Sequence, residues 1–290
     1  MTSALPDADR IVSLLRGSTP WRDVRVVSTT GSTNADLGAR ARSGEREGAV
    51  LVSMEQTAGR GRLDRSWASP PGSSIAMSLL LRPRPAFPQW GWLSILAGLA
   101  VSSALAEVAP NPKDVTLKWP NDVLIGGKKV CGILSERIES ADGALAVVGM
   151  GVNVSLTREE LPVPTATSLA LEGFPLDQSA IVAGVLNHFA RWYEAWTVRG
   201  NLRAEYVARC ASIGADLAVH LDGEPPVLGV GRGVDRYGRL EVAFASSPSA
   251  TSSTRASIPE PTSDACRCAV TDWVHGDQQG PVGQRRERHP

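Results

Sequence analysis

The sequence lacks an excess of charge of either sign. Among its 290 residues, 30 Lys and Arg balance 30 Asp and Glu, so the formal net charge is 0. A chain without a net field has no general attraction to nucleic acid or to an anionic membrane surface. Histidine and cysteine are also scarce, with 4 of each. Scattered cysteines argue against a disulfide framework and fit a reducing cytoplasm, and so few histidines offer no convincing catalytic triad.

Metal-binding, targeting and membrane-spanning patterns are missing as well. Cys266 and Cys268 stand in a polar tail without two further ligands at zinc-like spacing, so we expect no metal site there. The N-terminus is polar and acidic from Asp7 to Asp9 and has no apolar run of signal-peptide length. No stretch is expected to be long and apolar enough to span a bilayer. The length predicts a globular protein of one large and one small domain.

Short apolar runs separated by turn residues are what the chain does contain. Runs with strand character lie at residues 24–28, 49–54, 74–81, 115–118, 123–125, 128–136 and 144–154. Segments with helical spacing or capping signals lie at residues 11–15, 35–42, 90–108, 179–198 and 202–211. Strands and helices mixed in this way predict an α+β main domain over residues 1–212.

The C-terminal part differs in composition. Residues 214–220 and 227–243 have the pattern of short strands, which predicts a small β domain over residues 213–245. From Ser246 onward, Ser, Pro, Thr and charged residues follow one another without periodicity. Such a segment buries too little apolar surface to offset the entropy of ordering, so residues 246–290 are predicted to be disordered.

The segment Glu55–Trp67 alternates glycines and arginines directly after the apolar run 49–54. Its two glycines let the backbone bend closely around a ligand. Its arginines, Arg60, Arg62 and Arg65, carry planar guanidinium groups suited to phosphate or carboxylate. Taken alone, the same residues also fit a solvated basic loop or a nucleic-acid patch.

Other polar residues stand at the ends of predicted elements. Residues 32–34, Ser-Thr-Asn, open a helix, where they either cap it or grip a small polar ligand. Lys118 ends a strand and is either a snorkelling surface lysine or a ligand contact, and Gln56 is either a turn residue or a ligand contact. The segment Gly149–Asn153 is not a dinucleotide fingerprint, because no helix follows it. Glycines in a strand instead mark close approach of a ligand or a neighbour.

In this order, the motifs resemble the signature of bacterial biotin–protein ligases. The matching segments are Gly31–Asn34, Glu55–Arg62, Trp67, Lys118–Asp122, Gly132–Leu134 and Gly149–Asn153. The resemblance extends from about Val24 to Leu240. It implies a mixed-sheet catalytic domain akin to class II aminoacyl-tRNA synthetases, followed by a small SH3-like β domain.

The reaction that this resemblance implies has two steps, with ATP and biotin as substrates and Mg²⁺ as cofactor. Biotin and ATP form biotinyl-5′-adenylate, and a lysine of a biotin carboxyl carrier domain then takes the biotin. The implied catalytic residues are Lys118 and Arg60. The implied biotin-binding residues are Ser32, Thr33, Asn34, Gln56, Arg60, Gly61, Arg62, Lys118, Gly132 and Leu134. The implied ATP- or adenylate-binding residues are Arg62, Trp67 and Asn153, and no protein metal ligand is assigned.

The chain departs from the family pattern at both ends. About two dozen residues precede the first predicted strand, too few for the DNA-binding domain of ligases that also repress transcription. We therefore expect a monofunctional enzyme of the cytoplasm, monomer or homodimer, without DNA or membrane partners. After Leu240 the sequence lacks the further strands that would complete the small β domain, so that domain is predicted to be incomplete.

The alternative functions are a lipoate or octanoate transferase, a biotin-sensing repressor and a non-catalytic biotin sensor.

Overall fold

The computed structural model describes residues 5–62, 65–220 and 225–244, and two further strands at 255–258 and 269–272. Its larger part contains a mixed sheet of seven strands. They are β1 (Asp23–Val27), β2 (Ala49–Ser53), β3 (Ser74–Leu81), β4 (Val115–Lys118), β5 (Asp122–Ile125), β6 (Lys128–Ile138) and β7 (Leu145–Asn153). Their order across the sheet is β1-β2-β3-β7-β6-β5-β4. The β1–β2 pair is parallel, and every other neighbouring pair is antiparallel.

Helices in the described residues complete the predicted α+β fold, which is thereby confirmed. They are α1 (Ala8–Ser13), α2 (Thr33–Arg42), α3 (Trp92–Val108), α4 (Gln178–Arg199) and α5 (Arg203–Val207), with 3-10 turns at Phe87–Gln89 and Pro112–Asp114. Helix α5 is shorter than the predicted helix 202–211. The chain after α5 pairs with β4 instead: Leu117 N donates to Arg209 O at 2.8 Å, and Ala211 N donates to Leu117 O at 2.7 Å. Backbone groups used in that pairing are not available to extend the helix.

The two faces of the main sheet pack against different helices. Successive residues of a strand point to opposite faces. On β3, Ile75, Met77 and Leu79 therefore share one face, and they are part of the core that includes α3 and α4. Ala76 and Ser78 lie on the other face. Leu80 lies on the same face as Ala76 and Ser78 and packs in a second buried cluster with Leu37 and Ala41 of α2. Small residues thus leave room on this face only beside α2.

Helix α3 lies in the core and is apolar all round. Residues Phe87–Val108 are long and apolar enough to cross a membrane, so the expectation that no such stretch exists is wrong on length and composition. However, 72 % of the most apolar stretch is buried inside the protein. Uniform hydrophobicity is as typical of a buried core helix as of a membrane span, and here the burial accounts for it.

A second, smaller sheet follows the helices. Its strands are β8 (Asp216–His220), β9 (Val227–Val234), β10 (Leu240–Phe244), β11 (Arg255–Ile258) and β12 (Ala269–Asp272). They are antiparallel neighbours in the order β11-β10-β9-β8-β12.

This small sheet extends beyond the predicted boundary of 213–245. The prediction of a disordered tail is wrong for residues 255–258 and 269–272, and the rest of 246–290 lies outside the described residues. The two added strands are held at the sheet edges by pairing with β10 and β8. Backbone pairing of this kind does not depend on the composition of the added segment, so composition did not reveal it.

The turn between β9 and β10 lies against the main domain. Trp92 Nε1 donates to Arg236 O at 2.9 Å, and Trp119 Nε1 donates to Gly238 O at 3.0 Å. The Asp235 carboxylate braces the turn by accepting two backbone N–H bonds at 2.8 and 3.0 Å. Two indole donors buried at the junction are satisfied in this way, which avoids the cost of unpaired buried donors.

We predict that Gly238→Ala lowers the free energy of unfolding by about 1–3 kcal/mol, because it combines left-handed strain with overpacking. Gly238 has φ +84°, and a Cβ there would lie 2.7 Å from Ile95 Cδ1. Urea unfolding followed by circular dichroism measures the change. Gly31→Ala is the control, because a Cβ at Gly31 meets nothing within 4 Å. Equal unfolding midpoints for the two variants would contradict this account of the junction.

Candidate functional site

The floor of the site is the part of the main sheet where β3, β6 and β7 carry small residues on one face. Gly132 of β6 lies opposite Gly151 of β7, which lies opposite Ala76 of β3. The ring of Trp67 rests on this row. A Cβ at Gly151 would lie 2.7 Å from Trp67 Cε2, and a Cβ at Gly132 would lie 2.8 Å from Trp67 Cζ3. A larger residue at either position would displace the indole, so close approach requires glycine here.

The neighbouring row consists of Leu134, Gly149 and Ser78. The Asn34 amide occupies the space above Gly149, where a Cβ would lie 2.2 Å from Asn34 Oδ1. Asn34 Oδ1 accepts a hydrogen bond from Ser78 Oγ at 2.6 Å. Asn34 Nδ2 donates to Leu134 O at 3.2 Å and to Glu136 Oε2 at 2.7 Å. The amide is therefore fixed at both its oxygen and its nitrogen.

The start of α2 forms one wall of the site. Ser32 is the N-cap, and its Oγ accepts a bond from Ala35 N at 3.4 Å, as the sequence predicted. Gln56, which follows β2, accepts bonds through Oε1 from Thr33 N at 2.8 Å and from Thr33 Oγ1 at 3.1 Å. The loop after β2 thus grips the helix start, and the residues of the cap are also the residues of the wall.

Residues 57–67, which we call the glycine–arginine loop, lie at the mouth of the site; residues 63 and 64 are not among those described. Two backbone hydrogen bonds close the loop on itself, from Gly61 N to Arg65 O at 2.7 Å and from Trp67 N to Gly59 O at 2.9 Å. Arg60 Nη2 lies 2.9 Å from Glu136 Oε1. The loop is therefore closed by its own backbone and tied to the sheet by an ion pair.

The opposite wall comes from the end of β4 and from β5 and β6. Lys118 reaches the cavity from the end of β4. Lys129 Nζ lies 2.6 Å from Asp122 Oδ1. Arg62 Nη1 donates to Asn121 Oδ1 at 3.3 Å. Cations from two strands and from the loop thus converge on the same opening.

These walls enclose a cavity of about 240 Å³. The predicted site residues that line it are Ser32, Thr33, Asn34, Gln56, Arg60, Gly61, Arg62, Trp67, Lys118, Gly132 and Leu134. The structure does not bring Asn153 to this cavity. Asn153 is buried, and its Nδ2 donates to Thr167 O at 2.9 Å. Its amide instead fastens the irregular segment that follows β7.

Sequence reasoning missed polar residues of the site, namely Ser78, Asp122, Lys129 and Glu136. Glu136 could have been found, because it follows Leu134 at a spacing of two in a predicted strand and so shares its face. Lys129 meets Asp122 only through the pairing of β5 with β6. No spacing along the chain indicates that contact.

The described residues contain no group of three or more His, Cys, Asp or Glu side chains that could hold a metal ion. The site carboxylates Asp122 and Glu136 are ion-paired with Lys129 and Arg60. A divalent ion bound here would therefore depend on oxygen ligands brought by a substrate, as is common for Mg²⁺.

Comparisons with known proteins show which family the sequence matches. Residues 25–153 match the family described as the biotin/lipoate A/B protein ligase family. The chain is 41 % identical over 232 residues to the biotin–[acetyl-CoA-carboxylase] ligase of Mycobacterium tuberculosis, which covers 78 % of this chain and 85 % of that protein. It is 33 % identical over 223 residues to the ligase of the same name from Paracoccus denitrificans, covering 74 % of this chain and 92 % of that one.

A solved structure shows the same architecture. Biotin protein ligase from Aquifex aeolicus, in complex with biotin and ATP, matches with a TM-score of 0.69 at 25 % identity, covering 87 % of this chain and 100 % of that chain. The site therefore belongs to the class of biotin and lipoate ligases. Within that class, the chain belongs to the biotin protein ligase family, and the resemblance inferred from the motifs is confirmed.

Two free thiols lie in the core and not in the site. Cys131 and Cys210 are both buried. Burial raises the pKa of the Cys131 thiol to about 12, and burial also raises the pKa of the Cys210 thiol. A raised pKa keeps a thiol protonated, and the protonated thiol is not a nucleophile.

We predict that iodoacetamide leaves both thiols unmodified in the folded protein at neutral pH and modifies both after unfolding in guanidinium. The folded thiols combine inaccessibility with a negligible thiolate fraction. Mass spectrometry of the peptides that contain Cys131 and Cys210 gives the extent of labelling. Rapid labelling of Cys131 in the folded state would show that it is not behind the floor of the cavity.

Proposed function

We propose that this chain is an ATP-dependent biotin–protein ligase that acts on a carboxyl carrier domain. In the first step a carboxylate oxygen of biotin attacks the α-phosphorus of ATP. The bond from that phosphorus to pyrophosphate breaks, and biotinyl-5′-adenylate forms. In the second step Nζ of a carrier lysine attacks the carbonyl carbon. The bond to AMP breaks, an amide forms, and the amine loses a proton.

One observation carries this proposal: three separate motifs meet around one cavity. The cap of α2, the glycine–arginine loop and the segment Lys118–Asp122 all line it. Support comes from relatives that are named biotin–[acetyl-CoA-carboxylase] ligases and from the Aquifex neighbour that was solved with biotin and ATP.

The wall formed by α2 and Gln56 suits a neutral polar group. Ser32, Thr33 and Asn34 are at most 5 % exposed and present hydroxyl and amide groups. The ureido ring of biotin has N–H donors and a carbonyl acceptor, which such groups recognise. We assign the ureido end of biotin to this wall.

The mouth of the cavity suits the carboxylate and the phosphates. Arg60, Arg62, Lys118 and Lys129 line it. Two anionic substrates repel each other, so cations are needed to bring the reacting atoms together. Donors fixed around the phosphorus also stabilise the charge that develops there during attack. We assign Lys118 and Arg60 as catalytic residues, and Mg²⁺ to the phosphates of ATP, because Mg²⁺ in nucleotide sites is bound largely by phosphates and water.

The proposed setting follows from the same chemistry. The acceptor is an exposed lysine of a carrier domain, because the adenylate carbonyl must be reached from outside the cavity. The free thiols of Cys131 and Cys210 suit a reducing compartment such as the cytoplasm. Monomer and homodimer both remain compatible with the proposal.

The test is incubation of the protein with ATP, Mg²⁺, a carrier domain, and either biotin or lipoate. Intact-mass analysis should show one biotinyl group added to the carrier, and none on a carrier whose acceptor lysine is replaced by arginine. Transfer of lipoate alone would identify a lipoate ligase. Binding of biotin without adenylate or transfer would identify a sensor, and either result would overturn the proposal.

We predict that Lys118→Gln slows adenylate formation by about 10²–10³-fold, because a preorganised cation acts mainly on charge that develops in the transition state. The dissociation constant for biotin should change much less. Pyrophosphate release at saturating substrates is the measurement. Lys113→Gln is the control, because Lys113 is exposed and does not line the cavity. An unchanged rate in the Lys118 variant would remove this residue from the catalytic set.

We predict that Arg62→Gly releases biotinyl-adenylate about 10- to 100-fold faster, since a hydrogen bond to a charged group contributes about 1.5–3 kcal/mol. The glycine also adds backbone freedom to the loop. Escaped adenylate acylates lysines of a bystander protein, which a biotin blot detects. Arg158→Gly is the control, because Arg158 is exposed and does not line the cavity. The protein with this change should label the bystander no more than the unchanged protein does. Equal labelling by both variants would show that Arg62 does not retain the adenylate.

A further inference from the structure

Glu136 places a carboxylate beside a site that has to bind anions, and neither proposed chemical step uses it. We propose that Glu136 is a positioning residue that holds the glycine–arginine loop over the cavity through Arg60. The expected effect on release of biotinyl-adenylate rests on the proposed function. The expected effect on hydrogen exchange in the loop does not.

The contacts of Glu136 join the loop to the floor. Its Oε1 lies 2.9 Å from Arg60 Nη2, and its Oε2 accepts a hydrogen bond from the same nitrogen at 3.1 Å. Oε2 also accepts from Asn34 Nδ2 at 2.7 Å. The Glu136 side chain is 25 % exposed and that of Arg60 is 51 % exposed. The carboxylate is thus the partner anchored to the floor, and the arginine is the more exposed one.

A chain of hydrogen bonds fixes the anchored end. Asn34 Oδ1 accepts from Ser78 Oγ, which lies on the central strand β3. Thr33, the residue before Asn34, is bound through its N–H and its hydroxyl to Gln56. A network whose members are all partnered holds each of them in one orientation. The Glu136 carboxylate therefore has a defined position before any ligand arrives.

The loop needs such an anchor because its glycines leave it many conformations. Ordering those residues costs conformational entropy, and a ligand that has to order the loop loses that amount of affinity. An ion pair formed in the ligand-free protein shifts part of this cost from binding to folding. The hydrogen bond from Arg62 of this loop to the neutral Asn121 amide, at 3.3 Å, is longer and lacks an opposite charge.

The direct test is hydrogen–deuterium exchange of the loop without substrates. Glu136→Gln keeps the size of the side chain and an oxygen acceptor for Asn34, but it removes the charge. We expect the amides of Gly61 and Trp67 to exchange about two- to five-fold faster, a size in keeping with a half-exposed ion pair. Arg60→Gln should give the same increase. In the double variant the two effects should not add, because they act on one contact.

The kinetic test uses the same three variants. Release of biotinyl-adenylate should become about two- to five-fold faster in Glu136→Gln, with a smaller change in the rate of adenylate formation at saturating substrates. The double variant should release adenylate no faster than Arg60→Gln alone. Faster release with a smaller change in the rate of formation indicates a loosened loop, whereas loss of a catalytic charge would lower the rate of formation.

Glu205→Gln is the matched control. Glu205 pairs with Arg199 at 2.6 Å, with side-chain exposures of 48 % for the arginine and 23 % for the carboxylate, and neither residue lines the cavity. This variant should change neither exchange of the loop nor release of adenylate.

The outcomes separate the two proposals. Unchanged exchange in Glu136→Gln overturns the positioning role. Additive effects in the double variant also overturn it, because Glu136 would then act through Asn34 and not through Arg60. Faster exchange that depends on Arg60, in a protein that makes no adenylate, supports the positioning role and overturns the proposed function. Faster exchange together with faster adenylate release supports both.

Discussion

The close approach of Trp67 and Asn34 to the glycines of the floor is the constraint on which the site depends. Both groups lie where a Cβ on Gly132, Gly149 or Gly151 would have to be. Glycine within a strand is costly, at about 0.5–1 kcal/mol per residue relative to alanine. The opposite face of the same strands offsets that cost, because Met150 and its neighbours are buried there in the core. The other face is divided: one part packs against α2 through Leu51, Leu80 and Val147, and the glycine-bearing part beside it forms the site.

The two ion pairs at the cavity are only partly buried. The Lys129–Asp122 and Arg60–Glu136 pairs have side-chain exposures between 24 and 51 %. Ion pairs this open contribute little to stability. Their role is therefore positional, because each carboxylate keeps a cation at the cavity. Glu136 contacts Arg60 at Nη2, and a guanidinium has five N–H donors, so Arg60 can contact an anionic ligand without leaving Glu136.

The sequence predicted the strands of the main sheet and its long helices, because alternation and capping are local signals. The residues that it predicted for the cavity lining came from the family resemblance of the motifs. It did not predict contacts made across strands. The Lys129–Asp122 pair depends on the register of β5 with β6, and the position of Asn153 depends on a bond to Thr167. The small sheet extended further than composition suggested, because its outer strands are held by backbone pairing with β8 and β10.

The small sheet and the site are mechanically connected at β4. This strand has β5 on one side, and the chain leading to the small sheet pairs with its other side through Leu117. Just beyond β4, Trp119 N donates to Ser212 Oγ at 3.2 Å, and Trp119 Nε1 donates to Gly238 O at 3.0 Å. Lys118 stands between these anchored residues. The backbone on either side of this proposed catalytic lysine is therefore fastened both to the segment that leads to the small sheet and to the turn between β9 and β10.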